Sequence, residues 1–196
     1  FQTAILNEVA VIGITDYFTI DGYKKLKREY CENVPKLLEL FDNDAELVNK
    51  IRQIKLFPNI EFRLNTFVGS SRINYHVIFS DQLSIEDIED NFLHELKFSY
   101  EQYPDATDCR HSLKRSNIED LGKKLKSEQP SFRDSDFVVG CTNAVVNDNQ
   151  IRETLKNYSD KFEGKYIIVV PVDEDLSSLN WNGQDHHVRK GFYQHA

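Results

Sequence analysis

The run Val9-Ala10-Val11-Ile12-Gly13-Ile14-Thr15 constrains the fold of this chain more than any other segment. It is short, β-branched and apolar throughout, the pattern of a strand covered on both faces. Tyr166-Ile167-Ile168-Val169-Val170 repeats that pattern, and Pro171 halts it. Strands of this kind need helices around them, and helical spacing fills much of the sequence between the two runs. Residues 23–41 place apolar side chains at helical intervals, with Pro35 marking a break or a new first turn. Residues 44–55 carry Leu47, Val48, Ile51 and Ile54 along one face. Ser84-Ile85-Glu86-Asp87 and Ser116-Asn117-Ile118-Glu119 have the form of helix starts, predicting helices that reach about Phe98 and Lys126. Residues 149–162 are helical in pattern, and Gly164 stands where a helix stop belongs. Pro58 punctuates before two strand-like runs, 60–68 and 73–79, with Gly69-Ser70-Ser71 as the hairpin turn between them. Pro104, Asp105, Asp108 and Cys109 fall in a predicted loop. Strands and helices alternate without a composition break, which predicts one α/β domain over residues 1–196 with a barrel-like, mainly parallel sheet.

The chain has 196 residues, 40% of them hydrophobic, enough to bury a core without disulfides or structural metals. Its three cysteines, Cys31, Cys109 and Cys141, include no CxxC pair, so reduced thiols in a cytoplasmic protein are expected. No apolar run approaches the roughly 18 residues of a membrane helix, and no membrane partner is expected. Against 24 Lys and Arg stand 32 Asp and Glu, a net charge of −8. That balance argues against sequence-independent coating of nucleic acid. An enzyme acting on nucleic acid needs only a local basic rim or bound cations. The chain opens on Phe1, contains no Met and closes at Gln194-His195-Ala196 within a helical-looking stretch, so truncation at both ends is expected.

Reactive side chains in α/β folds gather where strands end. Asp16 leaves the first strand run and is either a metal ligand or the cap of the next helix. Glu61 and Arg63, two apart in Phe57-Pro58-Asn59-Ile60-Glu61-Phe62-Arg63-Leu64, share one strand face, as a surface ion pair or as a pocket wall. His76, in Asn74-Tyr75-His76-Val77-Ile78-Phe79-Ser80, is either a packed core residue or a ligand. One Asp, one Glu and one His drawn from three strands would make a mixed oxygen and nitrogen site suited to Mn²⁺, Zn²⁺ or Fe.

These segments, with Val11-Ile12-Gly13-Ile14-Thr15-Asp16-Tyr17-Phe18-Thr19-Ile20-Asp21-Gly22-Tyr23, resemble three successive motifs of PHP (polymerase and histidinol phosphatase) domains. The wording is most similar to the branch in which a PHP domain precedes a large AAA/SMC-like ATPase, the TrlF-like (tRNA-lytic-factor) and Ppl-type bacterial antiphage proteins. The run from Tyr166 to Trp181, followed by Gly183-Gln184, also fits that branch. The resemblance implies a distorted (β/α)₇ barrel with divalent metal ions at the C-terminal ends of its strands. Carried over by position, it implies Asp16, Glu61 and His76 as metal ligands. It further implies an ATPase region in the same or a partner chain, and allows a homo-oligomer. The opening His-x-His pair of the family is absent and would lie before Phe1. Tyr17 occupies the place where most PHP domains have His, the His-Pro motif reads Val170-Pro171, and no closing Asp-x-His is visible. A fragment lacking the upstream histidines is expected to bind metal weakly and turn over slowly or not at all.

Other segments point less sharply. Adjacent His186 and His187 cannot both face one metal from a regular element. Asp173-Glu174-Asp175 reads as a solvated acidic turn, and Trp181 as a packing anchor rather than a base-stacking platform. Lys24-Lys25-Lys27-Arg28 and Lys123-Lys124-Lys126 read as solvated helix faces. No GxxxxGK[ST] or GxSxG motif occurs, so the chain itself is not expected to be the ATPase. Two functions follow as expectations. The first is metal-dependent hydrolysis of phosphoesters in nucleic acid or nucleotides, with Arg63 and Tyr17 as catalytic residues. The second is a degenerate PHP domain serving as a sensor or docking module for an ATPase partner.

Overall fold

The structure, a computed structural model, describes residues 1–68, 71–100 and 111–170. The turn at Gly69-Ser70, the loop around Pro104 and Cys109, Pro171, Asp173-Glu174-Asp175, Trp181, Gly183-Gln184 and His186-His187 lie outside the described residues.

The chain enters through α1 (Gln2–Leu6) and runs into β1 (Val11–Tyr17). A short helix, α2 (Asp21–Lys25), continues through a π-helical turn (Leu26–Cys31) to α3 (Val34–Leu40) and α4 (Ala45–Gln53). Pro35 sits in the first turn of α3, where a missing N–H costs nothing. Asp44 caps α4 by accepting from the Leu47 amide at 2.9 Å. Then come β2 (Lys55–Val68) and β3 (Ser71–Phe79), an antiparallel pair as the hairpin pattern predicts. Pro58 lies inside β2 instead of before it. Lys55 and Glu61 turn their backbone groups towards β1, so the even positions face β3, and that ladder opens only at Asn59↔Ile78. The N–H that Pro58 lacks is therefore not needed.

Ser84 caps α5 (Ile85–Asn91), but the helix stops well short of Phe98. A 3₁₀ turn (Leu93–Glu95) and β4 (Lys97–Tyr100) follow, because Phe98 is taken up by pairing with Val146. After β5 (His111–Ser112), α6 (Arg115–Glu128) starts at Lys114 without a side-chain cap, so Ser116 does not play that part. Two elements that the sequence pattern does not announce come next, α7 (Asp136–Asn143) and β6 (Ala144–Val146). The last helical stretch divides at Tyr158 into α8 (Asp148–Asn157) and α9 (Ser159–Phe162). Gly164 at φ 69° supplies the left-handed residue that turns the chain into β7 (Tyr166–Val169).

The seven strands form one open, mixed sheet in the order β5-β4-β6-β2-β3-β7, with β1 paired to β2. The sheet is not mainly parallel. Among the described residues β1–β2 and β2–β6 pair in parallel, while β2–β3, β3–β7, β4–β5 and β4–β6 pair antiparallel. The hairpin is the physical reason, because its short connection forces β3 to run back along β2.

The core lies on one side of β1, β2, β3 and β7. Ile60, Phe62, Leu64, Tyr75, Val77 and Phe79 face it and are fully buried. Phe62, Phe79, Phe92 and Phe162 meet there edge-on or tilted, with centroids 5.0–6.2 Å apart. The expected two-sided burial of β1 and β7 is not found. Ile12 and Ile14 pack on the core, whereas Val11, Tyr17, Ile167 and Val169 are exposed on the alternate positions. Among the described residues no helix is long and apolar enough to cross a membrane.

Candidate functional site

The second face of the sheet carries the polar residues. Strand alternation places Thr15 and Tyr17 of β1 on it, Asn59, Glu61 and Arg63 of β2, and Asn74 and His76 of β3. Register then brings them into rows. Tyr17 lies opposite Glu61 across the parallel ladder, and Glu61 lies opposite His76 across the antiparallel one. One step back along β2, Thr15 lies opposite Asn59. One step forward, Arg63 lies opposite Asn74. Directly opposed positions on neighbouring strands bring side chains within contact range on one face.

Hydrogen bonds tie the rows together. Beside them, the Glu61 carboxylate, more than desolvation, pushes the Tyr17 phenol's pKa above its ordinary value. Asn59 Nδ2 donates to Thr15 Oγ1 at 2.7 Å, and Asn59 Oδ1 lies 3.2 Å from His76 Nδ1. Asn59 and Glu61 are buried, at 8% and 9% exposure, while Tyr17 is 47% exposed. The row therefore has a covered centre and an open edge. Arg63 Nη1 donates to the Thr142 carbonyl at 2.8 Å, which ties β2 to the end of α7.

Asp16 does not join this group. It lies opposite Ile60, on the core side of β1, and its two carboxylate oxygens accept from the Gly22 and Tyr23 amides at 3.1 Å each. Of the two readings of Asp16, the structure has the cap. Burial raises its pKa despite the two amide bonds. The chain reaches the cap through Phe18, which takes a left-handed φ of 57° as it turns into the core. That conformation costs a non-glycine residue about 1–2 kcal/mol, offset by full burial of the ring and by the Phe18 amide donating to the Glu61 carbonyl at 3.2 Å.

The convergence expected of Asp16, Glu61 and His76 is thus corrected: Glu61 and His76 meet, Tyr17 and Arg63 share their face, and Asp16 is on the other side of the sheet. Period-two alternation explains it, since adjacent residues 16 and 17 cannot point the same way in a strand. Thr15 and Asn59 are the residues that sequence reasoning missed. The same two-residue spacing that joins Glu61 to Arg63 also places Asn59 on that face.

Among the described residues no group of three or more His, Cys, Asp and Glu side chains is arranged to hold a metal ion. Four members of the basic clusters are paired locally: Lys24 meets Glu89, Arg28 meets Glu86, Lys123 meets Asp120 and Lys126 meets Asp136. They form solvated ion pairs, not a phosphate-binding stripe. No family model, curated protein or solved structure matches the chain.

Proposed function

We propose that the face bearing Tyr17, Glu61, Arg63 and His76 is the working surface of a metal-dependent phosphoesterase or nuclease module, acting on phosphoesters in nucleic acid or nucleotides. The observation behind it is the direct cross-strand pairing of Glu61 with His76. A carboxylate and an imidazole 15 residues apart in sequence are held side by side by the hairpin. A hard oxygen with an imidazole nitrogen is a donor pair suited to Mn²⁺, Zn²⁺ or Fe. Glu61 and His76 fit such a cation; Asp16 does not, because both its oxygens are occupied behind the sheet. A divalent ion bound there would polarise a phosphoryl oxygen and acidify bound water.

The chain's own groups supply the rest. Arg63 presents a planar guanidinium, suited to two phosphate oxygens at once, one step along from Glu61. Tyr17 keeps its proton well into alkaline conditions and so serves as a donor. The finer fold reading that accompanies this function is a PHP-like distorted (β/α)₇ barrel. The parallel β1–β2 ladder, with Tyr17 at the C-terminal end of β1, supports it. The antiparallel β2–β3–β7 run is a departure from that plan. A cytoplasmic bacterial setting, an ATPase region in the same or a partner chain, self-association and an antiphage role belong to the same proposal, on the motif resemblance alone.

The test is Mn²⁺ and Zn²⁺ titration by calorimetry, with hydrolysis of bis(p-nitrophenyl) phosphate, on the parent chain and on Glu61→Gln, His76→Ala and Asp16→Ala. Loss of metal binding in the first two, with Asp16→Ala binding like the parent, is the expected pattern. Equal binding in all four proteins would overturn the reading. A second reading, a docking module without turnover, is favoured by the exposed apolar side chains on the same face, Tyr17, Ile167 and Val169. It predicts no hydrolysis with or without metal.

A further inference from the structure

We infer that the cavity at the start of β2 binds the phosphate group of a small organic phosphate. It measures about 280 Å³ and lies where the π-helical turn, the last turn of α4 and the first residues of β2 meet. The Val11↔Lys55 pairing sets it at the end of the sheet where β1 and β2 begin. Glu61 is six residues further along β2, about 20 Å away, so this is a second site, independent of the proposed phosphoesterase face.

Two cations of its lining are unpaired. Lys55 meets Asp81 at 3.1 Å, whereas Lys27 and Arg52 make no ion pair among the described residues. Glu32 makes none either, so once Lys55 and Asp81 cancel, the wall carries two cations to one carboxylate. Tyr23 adds a further donor. It is 1% exposed, and its hydroxyl accepts from Lys27 Nζ at 3.2 Å. An ammonium only donates, so the hydroxyl's own proton is left over, and no acceptor among the described residues takes it. Two free cations and a spare O–H suit the several oxygens and double charge of a phosphate, since a guanidinium can engage two oxygens at once. The buried Ile54 and Leu56 give apolar cover for the organic part. A cation in the last turn of α4 also suits the helix dipole, but the dipole explains neither Lys27 nor the unused Tyr23 proton. The π-helical turn that carries Lys27 is itself a conformation found frequently at functional sites.

Titration of the ¹⁵N-labelled chain with ribose 5-phosphate, followed by backbone amide shifts in the presence of EDTA, tests the site, with ribose as the control. Saturable shifts are expected at residues 27–32 and 52–56, none at Glu61 or His76, and none with ribose, at a midpoint of about 1–10 mM or below. Arg52→Gln should weaken binding about tenfold, and because Arg52 is exposed the variant keeps the fold. Tyr23→Phe, nearly isosteric, should weaken it by about the same factor. Glu32→Gln should tighten it, because a like charge leaves the wall. No saturable shift in the parent chain, shifts centred on Arg63, or a midpoint that Arg52→Gln or Tyr23→Phe leaves unchanged would overturn the inference. Binding at this cavity in a chain that binds no metal at Glu61 and His76 leaves the site standing and removes the phosphoesterase reading. Metal binding there, with no shifts at residues 27–32 and 52–56, does the reverse.

Discussion

Gly122→Ala should destabilise this protein even though helix propensity argues the opposite. Gly122 lies within α6 and Gly140 within α7, and alanine in a helix interior is favoured over glycine by about 0.8–1.0 kcal/mol. The two helices cross too closely for that gain to appear. A Cβ on Gly122 would stand 1.7 Å from the Asp136 carbonyl oxygen, and one on Gly140 would stand 2.0 Å from the Ile118 carbonyl oxygen. Both obstacles are backbone, so no rotamer change relieves them. Reaching even a 3.0 Å contact requires a displacement of about 1.3 Å at Gly122 and about 1.0 Å at Gly140. Overpacking typically costs about 1–3 kcal/mol, and a backbone-on-backbone clash belongs at the upper end. Subtracting the propensity gain leaves a net loss of about 2 kcal/mol for Gly122→Ala, which lowers Tm by about 4–8 °C in a chain of this size. Urea and thermal unfolding of the parent and of both single variants measure it. The double variant should lose less than the two singles together, because one separation of the helices relieves both clashes. A Gly122→Ala chain as stable as the parent, or more so, would refute the argument and leave propensity in charge. The site should respond as well, since α7 delivers the Thr142 carbonyl to Arg63.

Asp16→Ala should lower stability by about 0.5–2 kcal/mol in chemical denaturation, the usual value of a lost helix cap. Because burial raises the Asp16 pKa, its contribution to stability is fully present below the ordinary Asp value of 3.8 and falls as pH rises through the higher folded value. Unfolding free energies of the parent and Asp16→Asn, compared from pH 3.8 upward, should show that decline in the parent alone. Cys141, buried in α7 with its thiol pushed up to about 12 by desolvation, should resist alkylation in the native chain at mildly alkaline pH. It should react once the chain is unfolded in urea, and mass spectrometry of the labelled peptide separates the two cases.

Local signals account for much of what the sequence determined by itself. Asn33, Asp44, Ser84 and Asn147 accept from amides at the starts of their helices, an interaction that needs only a few neighbouring residues. The hairpin of β2 and β3 and the stop at Gly164 were legible for the same reason. So was the sharing of one strand face by Glu61 and Arg63, and alternation along Asp16-Tyr17 already implied that these two residues part company.

Tertiary structure decided what depends on partners distant in the chain. Apolar runs at β1 and β7 read as buried on both faces, yet each has one open face, because burial is set by what packs against a strand. Ser84 opens a helix whose end no local residue marks; Phe98 leaves it to pair with Val146. Nothing near Gly122 in sequence signals the Asp136 carbonyl that excludes a side chain there. The site shows both levels at once. Alternation sorted its residues by face, but only the registers Tyr17↔Glu61 and Glu61↔His76 made neighbours of residues from three strands, since strand register is fixed by packing and pairing across the sheet.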